Sequence, residues 1–306
     1  MPELYVALTD LLATDGEDLP RLPVAERLLS RAMVRPAAAD WRRWVLELAG
    51  LEPPAGDLPV ARTLAAAHGI EVGGDATWFV ATPVHLAAGL TRVHFAAEGG
   101  LNLDADAAAR LARRFASDWA DPALAMHVAG GTLLLRASGA FAVATHDPST
   151  YAGRQIHEAL PAGPDAGRLE RLMTELQMWL HGVGIHAEGL VVNGLWLWGA
   201  GRSPLAGTPC WPRSEGADAF LDAAAGALAG PTSAASLESW SVATFVRKKR
   251  PFAALDTVYF ERLAALLRDG TVDAARVHVA GREFVLARAQ RWRRWVRVRP
   301  WWELLA

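Results

Sequence analysis

Glu175-Leu-Gln177-Met-Trp-Leu-His181, followed after a short loop by Val192-Asn193-Gly-Leu-Trp196-Leu-Trp198-Gly199-Ala-Gly201-Arg202, carries more structural information than any other part of the chain. The first segment completes an apolar stripe begun by Leu169, Leu172, Met173 and Leu176, so it reads as a long helix with one broad face toward a core. The second places Trp196 and Trp198 two apart in an apolar run, the period of a strand, and stops it with glycines. A core-facing helix feeding a buried strand and a glycine turn predicts an α/β fold, a mixed sheet flanked by helices. Glu175 and Gln177 interrupt the apolar helix and, two residues apart, cannot share a face. One is expected to be buried and bonded toward the Asn193 strand, the other solvated.

Working outward, Tyr5 to Leu8 reads as a strand opening onto Asp10, and Leu22 to Ala32 has helical spacing. Asp40 stands where an N-cap belongs for a helix bearing Trp41, Trp44, Val45 and Leu48, and Val60 to His68 forms a third helix closed by Gly69. Three helices are thus expected before the next strands, Trp78 to Val80 and Arg92 to Phe95. Asp104 caps a helix through Phe115 and Trp119. Gly130-Gly131 between Leu124 to Val128 and Thr132 to Leu135 spells a tight hairpin, with Phe141 to Thr145 as a third strand. Further on, Ala217 to Ala229 reads as a helix, Asp256 as the cap of another ending at Gly270, and Arg276 to Leu286 as a second hairpin around Gly281. The proline-rich stretch after Arg202 divides an α/β body, residues 1–203, from a C-terminal α/β lobe, 204–306, either separate or continuous with the same sheet.

Composition narrows the function classes. With 52% hydrophobic residues the chain is globular, and a net charge of −2 gives no overall pull toward nucleic acid or anionic lipid. The single Cys210 excludes an internal disulfide and any zinc site built from two thiolates, which suits a reducing, cytoplasmic setting. No apolar run reaches the ~20 residues of a membrane-spanning helix, and no membrane partner is expected. No phosphate-binding glycine loop and no Gly-x-Ser-x-Gly elbow is present.

The Asn193-x-x-Trp196-x-Trp198-Gly199-x-Gly201 block resembles the archaeal-type cofactor-independent phosphoglycerate mutases of the alkaline phosphatase superfamily. Pro83-Val84-His85-Leu86, Glu175 to Met178 and the basic Arg291-Trp292-Arg293-Arg294-Trp295 bring it closer to bacterial relatives described as phosphoglycerate mutase-like regulatory proteins of the RpfE type. The resemblance runs from about residue 77 to 302. It implies an alkaline phosphatase-like but reduced α/β fold with antiparallel hairpin insertions. Enzymes of that superfamily hold two divalent metals, manganese or zinc, with several Asp and His residues and use a Ser or Thr nucleophile. Here Asp10 takes the place of a first metal ligand and Thr82 lies near that of a nucleophile, whereas the Asp-His pairs expected in the C-terminal half are missing. His278 is the only histidine after His186, in a hairpin strand beside no carboxylate.

The resemblance therefore implies a degenerate, non-catalytic member with a binding or regulatory role, no metal and no cofactor. The alternative is a metal-dependent phosphomutase or phosphatase using Asp10. A candidate ligand surface consists of His85, Glu175, Gln177, Asn193, Trp196, Trp198 and Arg202, with a small anionic ligand or a protein as partner: exposed N–H groups of the turn and the Arg202 guanidinium would grip an anion. The competing reading is that the indoles pack the sheet and the glycines turn the corner. His85 with His94, and His181 with His186, have pairwise spacing but no third ligand. His146-Asp147 reads as a turn cap. The arginines from Arg288 to Arg299 among Trp292 and Trp295, together with Arg247 to Arg250, form a basic patch for a weaker nucleic-acid or protein-interaction alternative, though no nucleic-acid reader module accompanies them and nucleic acid is not the expected partner.

Overall fold

The computed structural model describes residues 3–8, 20–119, 121–205, 213–215, 218–228, 240–245, 255–289, 293 and 295–305. The fold is α/β, with a mixed sheet, flanking helices and an antiparallel second sheet. The mixed sheet has the order β10 (Arg213–Glu215), β11 (Trp240–Phe245), β1 (Glu3–Leu8), β12 (Ala274–Val279), β13 (Arg282–Ala287), β2 (Met33–Pro36). Its first four strands are parallel, and β13 and β2 complete it antiparallel. Strands from both ends of the chain thus share one sheet.

The second sheet runs β4 (Val93–Gly100), β3 (Thr77–Ala88), β6 (Thr132–Ala137), β5 (Leu124–Ala129), and β9 (Gly194–Trp198) pairs with Val80 to Val84 of β3. Period-two patterning assigns each face. In β1, Val6 and Leu8 pack toward α1 (Pro23–Leu29), α7 (Glu261–Asp269) and α8 (Trp301–Leu305), while Tyr5 and Ala7 join α2 (Trp41–Leu48) and α3 (Val60–Ala67) in a central core. In β9, Trp196 and Trp198 complete that central core, and Leu195 and Leu197 face α4 (Ala105–Asp118) and α5 (Ala166–Val183) on the far side. The molecule is therefore layered, helices and sheet alternating about β1 and β9, each buried on both faces.

The expected caps of α2 and α4 are present: Asp40 accepts from Arg42 N–H at 2.9 Å and Asp104 from Ala107 N–H at 2.6 Å. Gly130 and Gly131 take the positive φ angles, 56° and 89°, of the β5–β6 turn. α6 (Ala219–Leu228) lies within the predicted helical stretch.

Four expectations need correction. Three helices do not precede the next strand: α1 lies within Leu22 to Ala32 as read, but it stops at Leu29 and the chain enters the edge strand β2, whose four exposed residues show no alternation to announce it. Phe141 to Thr145 is a loop with a single bridge, Ala144 to Ala162, because Asp165 and Asp57 take the backbone N–H groups of Ala142 and Thr145. Asp256 caps no helix of its own. It accepts from Val24 N–H at 3.0 Å and Ala25 N–H at 2.8 Å, so it caps α1 from 231 residues away, and a π-type turn, Leu255–Phe260, leads into α7. Glu175 and Gln177 are both exposed on α5, whose buried stripe is Leu169, Leu172, Leu176 and Leu180; neither bonds toward Asn193.

Candidate functional site

A cavity of about 520 Å³ opens beside the carboxyl ends of β1 and β12, at Leu8 and Val279. Its other walls are the loop into α2 (Ala38 to Arg43), the entry to α3 (Gly56 to Val60), Thr145 to Arg154 and the Trp198-Gly199 turn. Parallel strands deliver their loops to this end, which is why crevices there serve as ligand sites in α/β proteins.

Asp40, held by its cap bond through Oδ1, contributes a carboxyl whose pKa is raised by burial, with Asp147 and Asp218 adding to the effect and Arg42 opposing it. Asp57 accepts from Thr145 N–H at 3.0 Å, from the Thr145 hydroxyl and from Ala200 N–H; burial still raises its pKa above the usual carboxylate range. The same Thr145 Oγ1 accepts from Gly199 N–H at 3.0 Å, tying the loop to the turn after β9. Asp147 caps the short 3-10 helix Pro148–Tyr151 through Ser149 N–H, as a His-Asp turn predicts.

Arg42 sits behind this wall. Its Nη1 donates to Asp147 at 2.7 Å and its Nε to Asp218 at 2.9 Å, and its guanidinium lies 4.8 Å from the Trp41 ring centroid and 5.0 Å from that of Trp198. Burial penalises its charge, but Asp218, Asp147 and Asp40 outweigh that and raise its pKa further. The other wall cations are engaged too: Arg43 donates to Pro54 O at 2.8 Å and Gly56 O at 2.5 Å, and Arg154 pairs with Glu158 over the Tyr151 ring.

His278 closes the β12 side and is 2% exposed. Its Nε2 lies 2.7 Å from Ala38 O, and because a carbonyl only accepts, Nε2 carries the proton and Nδ1 is a lone-pair acceptor. Nδ1 is buried and has no hydrogen-bond partner among the described residues. Burial lowers the imidazole pKa against the pull of Ala38 O, Asp40 and Glu283, keeping the ring neutral. The sequence reading placed His278 beside no carboxylate; Glu283 stands directly opposite it on β13, a pairing visible only once the hairpin register is known.

Of the candidates read from sequence, Trp198 lines the cavity, and Trp196 donates its indole N–H to His146 O at 3.1 Å behind the wall. The others lie elsewhere. Asn193 binds both backbone groups of Leu86, His85 meets Val191 O at 2.8 Å, and Arg202 reaches Asp75 at 3.4 Å. Thr82 accepts the Trp198 indole N–H at 2.8 Å. His181 and His186 are exposed on α5 and on β7 (His186–Ala187) of a small hairpin, and His94 lies on β4 opposite Ala87. Asp10, Cys210 and Arg247 to Arg250 lie outside the described residues, as do Arg291, Trp292 and Arg294; Trp295 is 78% exposed. Arg42, Asp57, Thr145 and His278 form the site's framework, whereas the local signals in the sequence pointed to Asp40 and Asp147, each as a cap.

Among the described residues no three His, Cys, Asp or Glu side chains converge as a metal ion requires. Asp57 and Asp147 are already occupied by backbone, hydroxyl or guanidinium donors, so this donor set does not fit a dication pair. No described helix is long and apolar enough to cross a membrane.

Two solved structures are similar to this chain: a cofactor-independent phosphoglycerate mutase from Thermoplasma acidophilum DSM 1728, at 14% identity over 94% of this chain and 89% of that one, with a TM-score of 0.38, and the PH0037 protein from Pyrococcus horikoshii, at 13% identity over 94% and 87%, with a TM-score of 0.39. No family model matches the sequence, and no curated protein does.

Proposed function

We propose that this protein is a non-catalytic binding or regulatory protein of the phosphoglycerate mutase-like, RpfE-type group, a reduced branch of the alkaline phosphatase superfamily acting in the cytoplasm, and that its ligand site is the cavity at the ends of β1 and β12. The group assignment rests on the Asn193 to Gly201 block and its companion motifs. The observation that carries the functional reading is the state of the charged groups in the wall and of Arg42 behind it: Asp57, Asp147, Arg42, Arg43 and Arg154 are each consumed by intramolecular bonds, an arrangement suited to shaping a pocket and ill suited to clamping a phosphoryl group between metals. Thr145, one of the cavity's hydroxyls, is shared between Asp57 and Gly199 N–H and so acts as a tether.

A metal-dependent phosphoryl-transfer enzyme is the second reading. It is favoured by the cavity reaching Leu8, two residues before Asp10. Metal analysis of the purified protein, with mutase and phosphatase assays on 3-phosphoglycerate and p-nitrophenyl phosphate in the presence of manganese or zinc, separates the two. The binding reading expects neither stoichiometric metal nor turnover. Bound metal with turnover that disappears in Asp10→Ala would overturn it.

A further inference from the structure

We infer that β2, the open edge of the mixed sheet, takes an extended acidic segment of a partner protein as an added strand, with Arg35, Arg297 and Arg299 meeting its carboxylates. The inference does not depend on the cavity. The sheet order ends at β2, so one side of this strand has no neighbouring strand. Ala37 N–H donates to Gly281 O at 2.9 Å, which sets the alternation of the β13–β2 ladder: Met33 and Arg35 turn their backbone groups to β13, and Val34 and Pro36 turn theirs outward. All four residues are exposed, Met33 by 42% and Val34 by 48%. The outward edge therefore offers the N–H and C=O of Val34 and the carbonyl of Pro36, which has no N–H to give. So short a ladder leaves most of the recognition to side chains.

Charge decides which strand the edge admits. The chain around Trp295 is pinned just ahead of β2, since Arg293 Nη1 donates to Arg31 O at 3.3 Å and Arg299 N–H to Ser30 Oγ at 3.0 Å. Arg31, Arg35, Arg293, Arg297 and Arg299 thus gather at one junction, and none of them pairs with a carboxylate among the described residues. The acids of the flanking elements are taken: Glu26 of α1 by Arg21, and Glu283, opposite Arg35 on β13, by Trp44 and Arg276. In a chain of net charge −2 this is a local surplus of positive charge, which an anionic partner relieves. Arginine and proline on an edge keep like strands from pairing with it, and the same charges favour an acidic strand over a neutral or basic one. Trp295, 78% exposed, and Val298, 41% exposed, lie between the two anchors and give apolar surface to alternate side chains of the incoming strand. Single-stranded nucleic acid fits less well, because Met33, Val34 and Val298 offer no ring on which a base could stack. A lipid surface fits less well too, because it would cover the N–H and C=O of Val34 without pairing them.

The test uses the full chain and a fluorescein-labelled peptide that alternates valine with glutamate and aspartate, beside the same peptide with lysine in place of the acids. Fluorescence anisotropy gives the affinities. The acidic peptide is expected to bind at least about tenfold more tightly than the lysine peptide, and to weaken as salt is raised. The double variant Arg35→Glu, Arg297→Glu is expected to lose at least about tenfold in affinity; Arg35→Gln, Arg297→Gln serves in its place if reversal of charge lowers the melting temperature. Val34→Pro removes the outward N–H and leaves the bonds to β13 in place, so it too is expected to weaken binding. Equal binding of the lysine peptide, no binding of either peptide, or unchanged affinity in the arginine variants or in Val34→Pro would overturn the inference. Labelled oligothymidylate, or vesicles of phosphatidylcholine and phosphatidylserine in equal parts, bound more tightly than the acidic peptide and released by the same arginine variants, would overturn it in favour of nucleic acid or membrane.

Discussion

Asn193 clasps the backbone of Leu86 with both ends of its amide: Oδ1 accepts from Leu86 N–H at 2.7 Å and Nδ2 donates to Leu86 O at 2.9 Å. The clasp falls at the irregularity in β3 between Val84 and Leu86, where register with β4 shifts and backbone groups would otherwise lack partners. Asn193 thus continues the β9 ladder by one side chain, with its own N–H donating to Val84 O at 3.1 Å.

Asn193→Ala leaves two backbone groups of Leu86 without their partners and is expected to cost about 1–3 kcal/mol. Asn193→Asp keeps the acceptor and loses the donor, so its midpoint in urea is expected to fall between those of the wild type and the alanine variant. Equal midpoints for all three proteins would show that water replaces the clasp.

Arg42 is expected to be among the least replaceable side chains of the central layer. Arg42→Gln leaves Asp147 and Asp218 close together, partly buried and without their cation, a situation that typically costs about 3–5 kcal/mol. Chemical denaturation of this variant should show the loss, and the double variant Arg42→Gln, Asp218→Asn should recover part of it. If recovery is absent, the indole contacts of the guanidinium rather than its ion pairs carry the stability.

The glycines of the turn after β9 differ in kind from those of α5. A Cβ at Gly201 would lie 2.1 Å from Asp57 O and 2.5 Å from Leu58 C, both backbone atoms of the entry to α3. Gly201→Ala is therefore expected to destabilise by about 1–3 kcal/mol or more. Gly182, inside α5, has open space around the same position, and Gly182→Ala is expected to stabilise by about 0.5–1 kcal/mol through helix propensity. Thermal melts of the two variants should shift in opposite directions.

What could be seen in the sequence follows from how local each signal is. The caps Asp40 and Asp104, the Gly130-Gly131 hairpin and the burial of the strand that carries Trp196 and Trp198 are each encoded within a few contiguous residues, so pattern alone recovers them. β2 is short, exposed and without alternation, and Asp256 looks like a local cap although its partners are 231 and 232 residues away. The cavity is harder still. Arg42 finds Asp147 and Asp218 at separations of 105 and 176 residues, and His278 finds Ala38 across 240, pairings fixed by sheet order and layer packing. The Asn193 to Gly201 block was conspicuous because it spans two cores at once; that prominence reports packing as readily as binding.

The buried His278 makes stability depend on pH in a direction that can be stated in advance. Its folded pKa lies below the ordinary imidazole value because burial disfavours the charged ring, more than Ala38 O, Asp40 on the α2 loop and Glu283 on β13 favour it. Trp44 stacks on the ring at 5.1 Å, and Arg276, along the same strand, reaches Glu283 at 3.5 Å. In the unfolded chain the imidazole titrates near about 6.5. As pH falls below that value the unfolded state takes up a proton that the folded state refuses, so stability declines until the lowered folded pKa is passed. His127, depressed by burial and by Arg136, adds to the same slope. The carboxyls of Asp40 and Asp57 act in the opposite sense, since a raised folded pKa adds stability as pH falls through it. Urea midpoints measured at pH 7.5 and 5.5 should therefore fall for the wild type and fall less for His278→Gln, which keeps a donor for Ala38 O and removes the titration. An undiminished slope in that variant would assign the effect to His127.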